Sequence, residues 1–262
     1  MSLVPQEYWE TIKSLKKTIV CLVSGGTEST ALAYECYKQG LDNVILLFCD
    51  TGLEFPQVYE ILNKISADTG YKLEIVEAAD YIKRWNWTVA QILIRSYEKY
   101  LSSDIQTDLP CRYNLKLNPM KRFSAKNYPD AIFISGIAPY ESRQRRMFLT
   151  KIRKQNTFFH SKWKLTYSYP LRDCFSPKVI PKYLRDNNLD VQSSFCVLCP
   201  INFFKTIGDF STRDSLDELL NDSGQNTLID YLSNFSDRYK LADYLTDSDL
   251  NKLATLLTKT LV

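Results

Sequence analysis

A strand that runs through a double-glycine turn into a helix is the feature that most constrains this chain. Residues 18–23 form an apolar run of strand length, and residues 31–36 have the apolar spacing of a helix. Several backbone N–H groups at the start of such a helix have no intrahelical partner, and they point at one spot. The positive helix end and the freedom of the glycine backbone make that spot suitable for phosphate. The loop residues are Ser24, Gly25, Gly26, Thr27, Glu28, Ser29 and Thr30.

The apolar runs further along the chain predict a doubly wound α/β fold. Four more candidate strands occupy residues 44–48, 72–76, 131–135 and 165–169, and helical patterns separate most of them. Alternation of this kind is typical of βαβ units, so we expect a mostly parallel five-stranded sheet covered by helices. Residues 77–130 are too long for one crossover and are predicted to be a helical insertion.

A second polar loop follows the fourth predicted strand. It begins at Gly136 and leads to Arg143, Arg145 and Arg146. Ligands of open α/β sheets bind where the strand order reverses, a crevice that the first and fourth strands normally flank. We therefore expect the two loops to meet, with arginines able to contact phosphate or sulfate. A solvated basic helix start is the alternative interpretation of the arginines.

Several motifs together identify a family resemblance. The loop resembles the S-G-G-x-D-S loop of the PP-loop ATP pyrophosphatases, whose fold the phosphoadenosine-phosphosulfate (PAPS) reductases share. Four further segments are similar, in the right order, to the D-T-G-x-x-F-P, C-x-x-x-L-K-x-x-P, G-x-x-x-x-E-S-x-x-R and P-L-x-D segments of the PAPS reductases. That order is more specific than any single motif. The four segments are residues 50–56, 110–119, 136–145 and 170–173.

The resemblance implies that the chain binds an adenine nucleotide, ATP or PAPS, with Mg²⁺. It makes Arg145 and Lys116 candidate phosphate or sulfate contacts, and these two are the catalytic candidates together with Glu28, which stands where the loop motif has Asp. Asp50 has an equal alternative as a turn or cap residue, and Lys116 has one as a solvated lysine. The nucleotide-binding candidates are Ser24, Gly25, Gly26, Thr27, Ser29, Thr30, Asp50, Thr51, Gly52, Gly136, Glu141 and Ser142.

The cysteines indicate a metal centre. Cys196 and Cys199 have the two-residue spacing that lets both sulfurs bind one metal, and they resemble the C-x-x-C-P of cysteine-bearing branches of the family. The family pattern adds Cys111 as a third candidate ligand, and Cys174, in place of a usual Trp, is a fourth. A [4Fe–4S] cluster is preferred to Zn²⁺, and redox thiols or unligated structural thiols are the alternatives. Three cysteines in apolar contexts are predicted core residues: Cys21, Cys36 and Cys49.

Two departures from the family pattern bear on the reaction. Glu28 replaces Asp in the loop, and residues 253–262 lack the E-C-G-L-H segment that carries the catalytic cysteine of assimilatory PAPS reductases. We therefore predict an enzyme that cleaves ATP to AMP and pyrophosphate to adenylate an acceptor, with sulfur transfer as a second step. Reduction of PAPS or adenylyl sulfate is one alternative, and a non-catalytic nucleotide-binding subunit is another. The acceptor would be a small molecule or a nucleic acid, and a sulfur donor or thiol reductant protein would be a further partner.

Length and composition limit the size of the core, the location and the kinds of chemistry that this chain can support. The chain has 262 residues, 45% of them hydrophobic, which is ample for a buried core. We expect a nucleotide-binding domain at residues 1–200 with a helical extension at 201–262. The apolar runs are too short to span a bilayer, so a cytoplasmic protein without a membrane partner is expected. Oligomers are compatible with the sequence. The net charge of +3 gives no indication of nucleic-acid binding. The single histidine, His160, argues against Ser-His-Asp chemistry.

Overall fold

The computed structural model describes residues 2–102, 109–191 and 245–261, and these fall into two compact units. Described residues within Met1–Phe48, Pro56–Val76 and Met120–Ser194 make up the first, which we call the sheet unit. Described residues within Cys49–Phe55, Glu77–Pro119 and Phe195–Val262 make up the second, which we call the insertion unit. The predicted boundary at residue 200 lies outside the described residues.

Six strands form one sheet. They are β1 (Ile19–Val23), β2 (Val44–Asp50), β3 (Lys72–Glu77), β4 (Ile132–Ser135), β5 (Phe158–His160) and β6 (Leu165–Ser168). The spatial order is β3-β2-β1-β4-β6-β5. β1 pairs in parallel with β2 and β4, β4 pairs in parallel with β6, and β5 is antiparallel to β6. The predicted doubly wound, mostly parallel sheet is confirmed, and the strand order reverses between β1 and β4 as expected.

The predicted count of five strands is one too low. The strand that was missed, β5, has three residues and pairs antiparallel to β6 at the edge of the sheet. A run this short carries no readable alternation of apolar and polar residues, so pattern analysis cannot detect it. His160 is the last residue of this edge strand, with β6 and β4 between it and β1.

Nine α-helices and one π-helix are described. They are α1 (Gln6–Ser14), α2 (Thr27–Lys38), α3 (Pro56–Thr69), α4 (Ala78–Lys83), α5 (Val89–Ser102), a π-helix (Arg112–Leu117), α6 (Asn118–Asn127), α7 (Arg143–Ile152), α8 (Val179–Asp186) and α9 (Asp247–Leu261). The described part of the 77–130 insertion is therefore helical, as its length predicts. No helix in the described ranges is long and apolar enough to cross a membrane.

Each unit has its own buried core. In the sheet unit, Val20, Leu47 and Phe133 from three neighbouring strands are packed in one cluster and are fully buried. In the insertion unit, Leu93 of α5 and Leu253 of α9 belong to a second cluster. Burial of this kind stabilises by about 1.5–3 kcal/mol for each large apolar side chain, so each core can hold its polar loops in place.

Candidate functional site

Two serines close the loop between β1 and α2. The Ser29 hydroxyl accepts a hydrogen bond from Ser24 N at 3.1 Å and donates to Gly26 O at 3.1 Å. The hydroxyls of Ser24 and Ser29 are also 3.1 Å apart, and Ser24 is the donor there because the Ser29 proton is directed to Gly26 O. Ser24 is exposed whereas Ser29 is buried. The buried Ser29 side chain therefore holds the loop through its hydrogen bonds, whereas the Ser24 side chain faces solvent.

Gly25 is required by conformation and by space. Its φ is +70°, in the left-handed region that favours glycine. A Cβ at this position would stand 2.9 Å from Val58 Cγ1 of α3. The glycine that the loop motif requires is thus explained by internal packing of the sheet unit, even before a ligand is considered.

The first turn of α2 offers backbone donors. Gly26 is the N-cap residue, and no described side chain caps this helix. The first helical hydrogen bond runs from Thr30 N to Gly26 O at 3.0 Å, so the N–H groups of Thr27, Glu28 and Ser29 precede the intrahelical ladder. By contrast, α7 is capped by Ser142, whose Oγ accepts from Arg145 N at 3.1 Å. Twelve residues of aligned dipoles stand behind the uncapped turn, which suits it to an anion.

The loop after β4 lies directly against the first turn of α2. A Cβ on Gly136 would stand 3.1 Å from both Ser29 N and Glu28 C, and 3.2 Å from Glu28 O. These are backbone atoms of a helix, and they cannot move aside as a side-chain tip could. The predicted meeting of the two loops is therefore present, and glycine at position 136 is what lets them approach.

A hydrogen bond joins the same two loops through side chains. The Tyr140 hydroxyl donates to Glu28 Oε1 at 2.6 Å, and Thr27 Oγ1 donates to Glu28 Oε2 at 2.8 Å. Burial, followed by the bond to the Glu28 carboxylate, raises the pKa of Tyr140 well above its usual range, so Tyr140 remains a donor. Both Glu28 oxygens thus accept hydrogen bonds, which fixes the direction of the carboxylate.

Arg145 lies beside this pair. Its guanidinium forms an ion pair with Glu141, and its positive charge opposes the rise in the pKa of Tyr140. Glu141 Oε2 also accepts from Ala138 N at 2.6 Å. Ser142 thus caps α7, whereas Glu141 closes the short 3-10 turn Pro139–Glu141 and pairs with Arg145.

Thr30 is placed differently from its neighbours in the loop. It is fully buried, and its hydroxyl has no hydrogen-bond partner among the described residues. The sequence predicts Thr30 as a nucleotide-binding residue, but the helical turn directs its side chain into the interior. Its hydroxyl does not reach the surface of the loop.

The remaining nucleotide candidates lie in the insertion unit. Asp50 ends β2, and its Oδ1 accepts from Gly52 N at 2.7 Å, where the φ of Gly52 is +75°. This is the turn role that the sequence left open for Asp50. Thr51 is buried, and its hydroxyl donates to Glu54 Oε1 at 2.9 Å.

Lys116 is an ion-pair partner in the insertion unit. Its Nζ lies 3.4 Å from Glu54 Oε1, and the Glu54 side chain is only 2% exposed. Lys116 belongs to the π-helix, a rare form that is frequent at functional sites. The Lys116 side chain is also 41% exposed, so it is a partly solvated lysine that pairs with a buried carboxylate.

The described cysteines occupy separate surroundings. Cys21 and Cys36 are fully buried, and Cys49 donates its thiol to Leu115 O at 3.2 Å, so these three are core residues as predicted. The backbone N–H of Cys111 donates to Ser96 Oγ at 2.8 Å. Burial raises the pKa of the Cys174 thiol. No group of three candidate metal ligands occurs among the described residues. Cys196 and Cys199 lie outside the described residues.

Sequence reasoning missed two residues that organise these sites. Tyr140 and Glu54 both lie within the quoted motifs, but neither had a role assigned. Their partners are Glu28 and Lys116, 112 and 62 residues away in the sequence. A tyrosine beside a motif glutamate and a carboxylate beside a buried threonine are weak signals, which only the three-dimensional fold turns into contacts.

Comparison with known proteins gives a consistent family match. Residues 18–213 match the phosphoadenosine phosphosulfate reductase domain family. An uncharacterized protein of Methanocaldococcus jannaschii is 26% identical over 136 residues, which are 52% of this chain. That match covers 26% of the archaeal protein, so the chain matches about a quarter of the length of this relative.

Two solved structures are similar to this chain at low sequence identity. The phosphoadenylyl-sulfate reductase of Candida auris, in a phosphate complex, superposes with a TM-score of 0.50 at 17% identity, covering 73% of this chain and 82% of that chain. The U34-tRNA thiolase NcsA of Methanococcus maripaludis, with its [4Fe–4S] cluster, gives a TM-score of 0.47 at 16% identity. That match covers 88% of this chain and 79% of the thiolase chain. The first of these supports the assignment of the fold.

Proposed function

Because this chain belongs to the phosphoadenosine phosphosulfate reductase domain family, we propose that it is an enzyme that binds an adenine nucleotide on the loop at residues 24–30. The proposed reaction is cleavage of ATP to AMP and pyrophosphate. A nucleophilic atom of the acceptor attacks the α-phosphorus, the bond between that phosphorus and the bridging oxygen to the β-phosphate breaks, and pyrophosphate leaves. The adenylated acceptor can then undergo substitution by a sulfur donor, with release of AMP.

One observation carries the proposal: the uncapped first turn of α2 lies against Gly136 at the point where the strand order reverses. The N–H groups of Thr27, Glu28 and Ser29 are positioned before the helical ladder begins. Donors that are already in place stabilise developing negative charge without reorganisation during the reaction. Pyrophosphate is the group on which negative charge develops in this chemistry.

The side chains around the loop support the same reaction. Arg145 carries a positive charge that acts on Tyr140, and exchange of its partner Glu141 for a phosphate would keep a charge-assisted bond. Glu28 has further lone pairs on both oxygens and is a fitting ligand for Mg²⁺, which prefers carboxylate and phosphate oxygens. Bound Mg²⁺ would supply charge neutralisation to the phosphates.

The residues of the insertion unit enter the proposal through the family motifs. Asp50, Thr51 and Gly52 form a turn that is closed by internal hydrogen bonds, which suits them to shape a ligand surface. Lys116 is held by Glu54 and is 41% exposed, so its ammonium group is oriented and accessible at once. We propose that it contacts a phosphate or sulfate of the ligand.

Product analysis tests the proposed reaction. The protein is incubated anaerobically with ATP labelled at the α-phosphate, and separately with labelled PAPS and a thiol reductant. We expect AMP and pyrophosphate from ATP, slowly without the acceptor because positioning and water exclusion contribute much of the catalysis. Rapid release of sulfite from PAPS would instead identify a sulfonucleotide reductase. ADP as the main product from ATP would contradict both reactions.

A further inference from the structure

A cavity in the insertion unit combines tryptophans with cationic side chains. It has a volume of about 500 Å³, and its lining includes Trp85, Trp87, Arg95, Glu98 and Lys252. This volume lies within the range of natural ligand sites. None of these residues belongs to the family motifs, and the proposed nucleotide reaction uses none of them.

The two tryptophans are presented on a rigid turn. Trp85 N donates to Ile82 O at 3.0 Å, and Asn86 N donates to Lys83 O at 2.9 Å, which closes the end of α4. Asn86 itself has a φ of +56°, in the left-handed region. Such a conformation in a residue other than glycine is uncommon and persists where the surroundings enforce it.

The start of α5 fixes the other side of the turn. Thr88 N donates to Gln91 Oε1, and Gln91 N donates to Thr88 Oγ1, both at 3.1 Å. This reciprocal pair is a capping box, and it satisfies two donors at once. Trp87 therefore sits between a closed helix end and a capped helix start, and it loses little conformational entropy if it binds a ligand.

Cations are already stacked on these rings. The Arg95 guanidinium lies 4.4 Å from the centre of the Trp87 ring, and the Arg84 guanidinium lies 4.6 Å from that of Trp85 and 3.9 Å from that of Tyr81. Trp85 is 45% exposed, although tryptophan is usually among the more buried residues. The rings thus hold positive charge next to exposed aromatic surface.

We propose that this cavity binds the bases of a single-stranded nucleic acid. Aromatic rings with adjacent guanidinium groups stack unpaired bases, and Arg95 and Lys252 can contact the phosphates between them. Among the described residues that line it are the cations Arg95 and Lys252 and the carboxylate of Glu98, which can accept from the exocyclic amine of a base.

The extent of the aromatic surface favours a strand over a mononucleotide. Trp85 and Trp87 offer two rings, and the Tyr81 ring packs edge-to-face against Trp85, with the two ring centres 4.8 Å apart. A single base needs one ring.

Fluorescence anisotropy with a labelled ten-nucleotide single-stranded RNA of mixed sequence tests the proposal on the full chain. We expect Trp85→Leu to weaken binding at least about tenfold, in line with the loss of one stacked base. The matched control is Trp163→Leu in the sheet unit, because Trp163 also has lysines over its ring, Lys121 at 5.4 Å and Lys162 at 5.7 Å. The control should bind within twofold of the unmodified protein. Arg95→Gln is the second variant if Trp85→Leu fails to fold.

Three competitors sharpen the result. Unlabelled single strand should displace the probe, whereas the duplex of the same sequence and a free mononucleotide should be at least about tenfold weaker. No binding at all, equal losses in Trp85→Leu and Trp163→Leu, or equal competition by duplex or mononucleotide would each overturn the proposal. The assay contains no ATP and measures no turnover, so its outcome is independent of the proposed nucleotide reaction.

Discussion

The hydroxyl of Tyr140 is 2.6 Å from Oε1 of Glu28, across 112 residues of sequence. The glutamate stands where the PP-loop motif has aspartate, whose side chain is one methylene shorter. In this chain, the longer side chain makes the contact that links the first turn of α2 to the loop after β4. The substitution that the sequence presents as a departure thus has a structural partner.

Removing the Tyr140 hydroxyl should loosen this link. Tyr140→Phe loses a hydrogen bond to a charged group, and we expect the free energy of unfolding to fall by about 1.5 kcal/mol. Urea denaturation measures this loss, and calorimetry with ATP measures the accompanying loss of affinity. Tyr37→Phe, at an exposed position of α2, is the control and should change neither quantity. Equal stability of the two variants would mean that the bond does not contribute.

A methyl group at Gly136 should separate the two loops. In Gly136→Ala the new Cβ would meet Ser29 N and Glu28 C at 3.1 Å, so the backbone donors of α2 must shift. We expect the affinity for ATP to fall at least about tenfold, or about 1.4 kcal/mol. Gly70→Ala is the control, because no described atom lies within 4 Å of that Cβ position and only its φ of +71° is unfavourable. It should lower stability but leave ATP affinity intact.

Arginine substitutions distinguish a ligand contact from a general effect of charge. Arg145→Ala should weaken ATP binding by about 1.5–3 kcal/mol, because a charge-assisted bond to phosphate is lost. Arg143→Ala removes the same charge from the start of α7 without touching the Glu141 pair. Calorimetry on both variants decides the matter. A silent Arg145→Ala beside a damaging Arg143→Ala would show that the motif positions are assigned wrongly.

The acid side of the stability profile should depend on Asp68. A hydrogen bond from Lys64 at 2.8 Å, followed by one from Tyr34, lowers the pKa of this carboxyl group. Because the pKa is lowered in the folded state, the charged carboxylate stabilises the fold at pH values above the unfolded-state pKa of about 4. This stabilisation is lost as the pH falls through the folded-state pKa. Asp68→Asn should therefore cost up to about 1 kcal/mol at pH 7, since the group is exposed, and much less near pH 3.

Urea midpoints at the two pH values measure this difference. Asp80→Asn is the control, because Asp80 pairs with Lys83 but its side chain is 70% exposed. A difference between wild-type protein and Asp68→Asn that stays constant from pH 7 to pH 3 would contradict the pKa argument.

Metal content tests the cysteine assignment. We expect protein purified without oxygen to contain iron or zinc, held by Cys196 and Cys199 with Cys111 as the best third ligand. Cys196→Ser should lose the metal, whereas Cys36→Ser should retain it, since Cys36 is fully buried in α2. Elemental analysis and an absorption spectrum on both variants are sufficient. Wild-type protein that is metal-free from the same preparation would favour redox thiols.

Much of the fold could be predicted because parallel strands buried on both faces leave continuous apolar runs. The predicted limits of β1 to β4 agree with the structure to within two residues, as the runs at Val20 and Leu47 illustrate. β5 could not be predicted, since three residues that pair antiparallel to β6 leave no period to detect.

The candidate site also has parts that the sequence predicts and parts that it does not. The loop, its glycines and the neighbouring position of β4 follow from motif and topology. The pairing of Lys116 with Glu54 does not, because the π-helix changes the angular spacing of side chains and has no sequence signature. The burial of Thr30 does not follow from the motif either, because a polar loop sequence does not indicate which side chains the first turn of α2 directs inward.

The contact between Glu28 and Tyr140 also constrains how this protein acquires its structure. Because loop closure over more than a hundred residues costs entropy before any contact forms, such non-local pairings slow folding. A ribosome-bound chain that has emerged only through α6 contains the whole glycine loop but neither Gly136 nor Tyr140. The loop thus gains its contacts with Gly136 and Tyr140 only after synthesis has passed α6, and until then a nascent chain lacks the hydrogen bond between Glu28 and Tyr140.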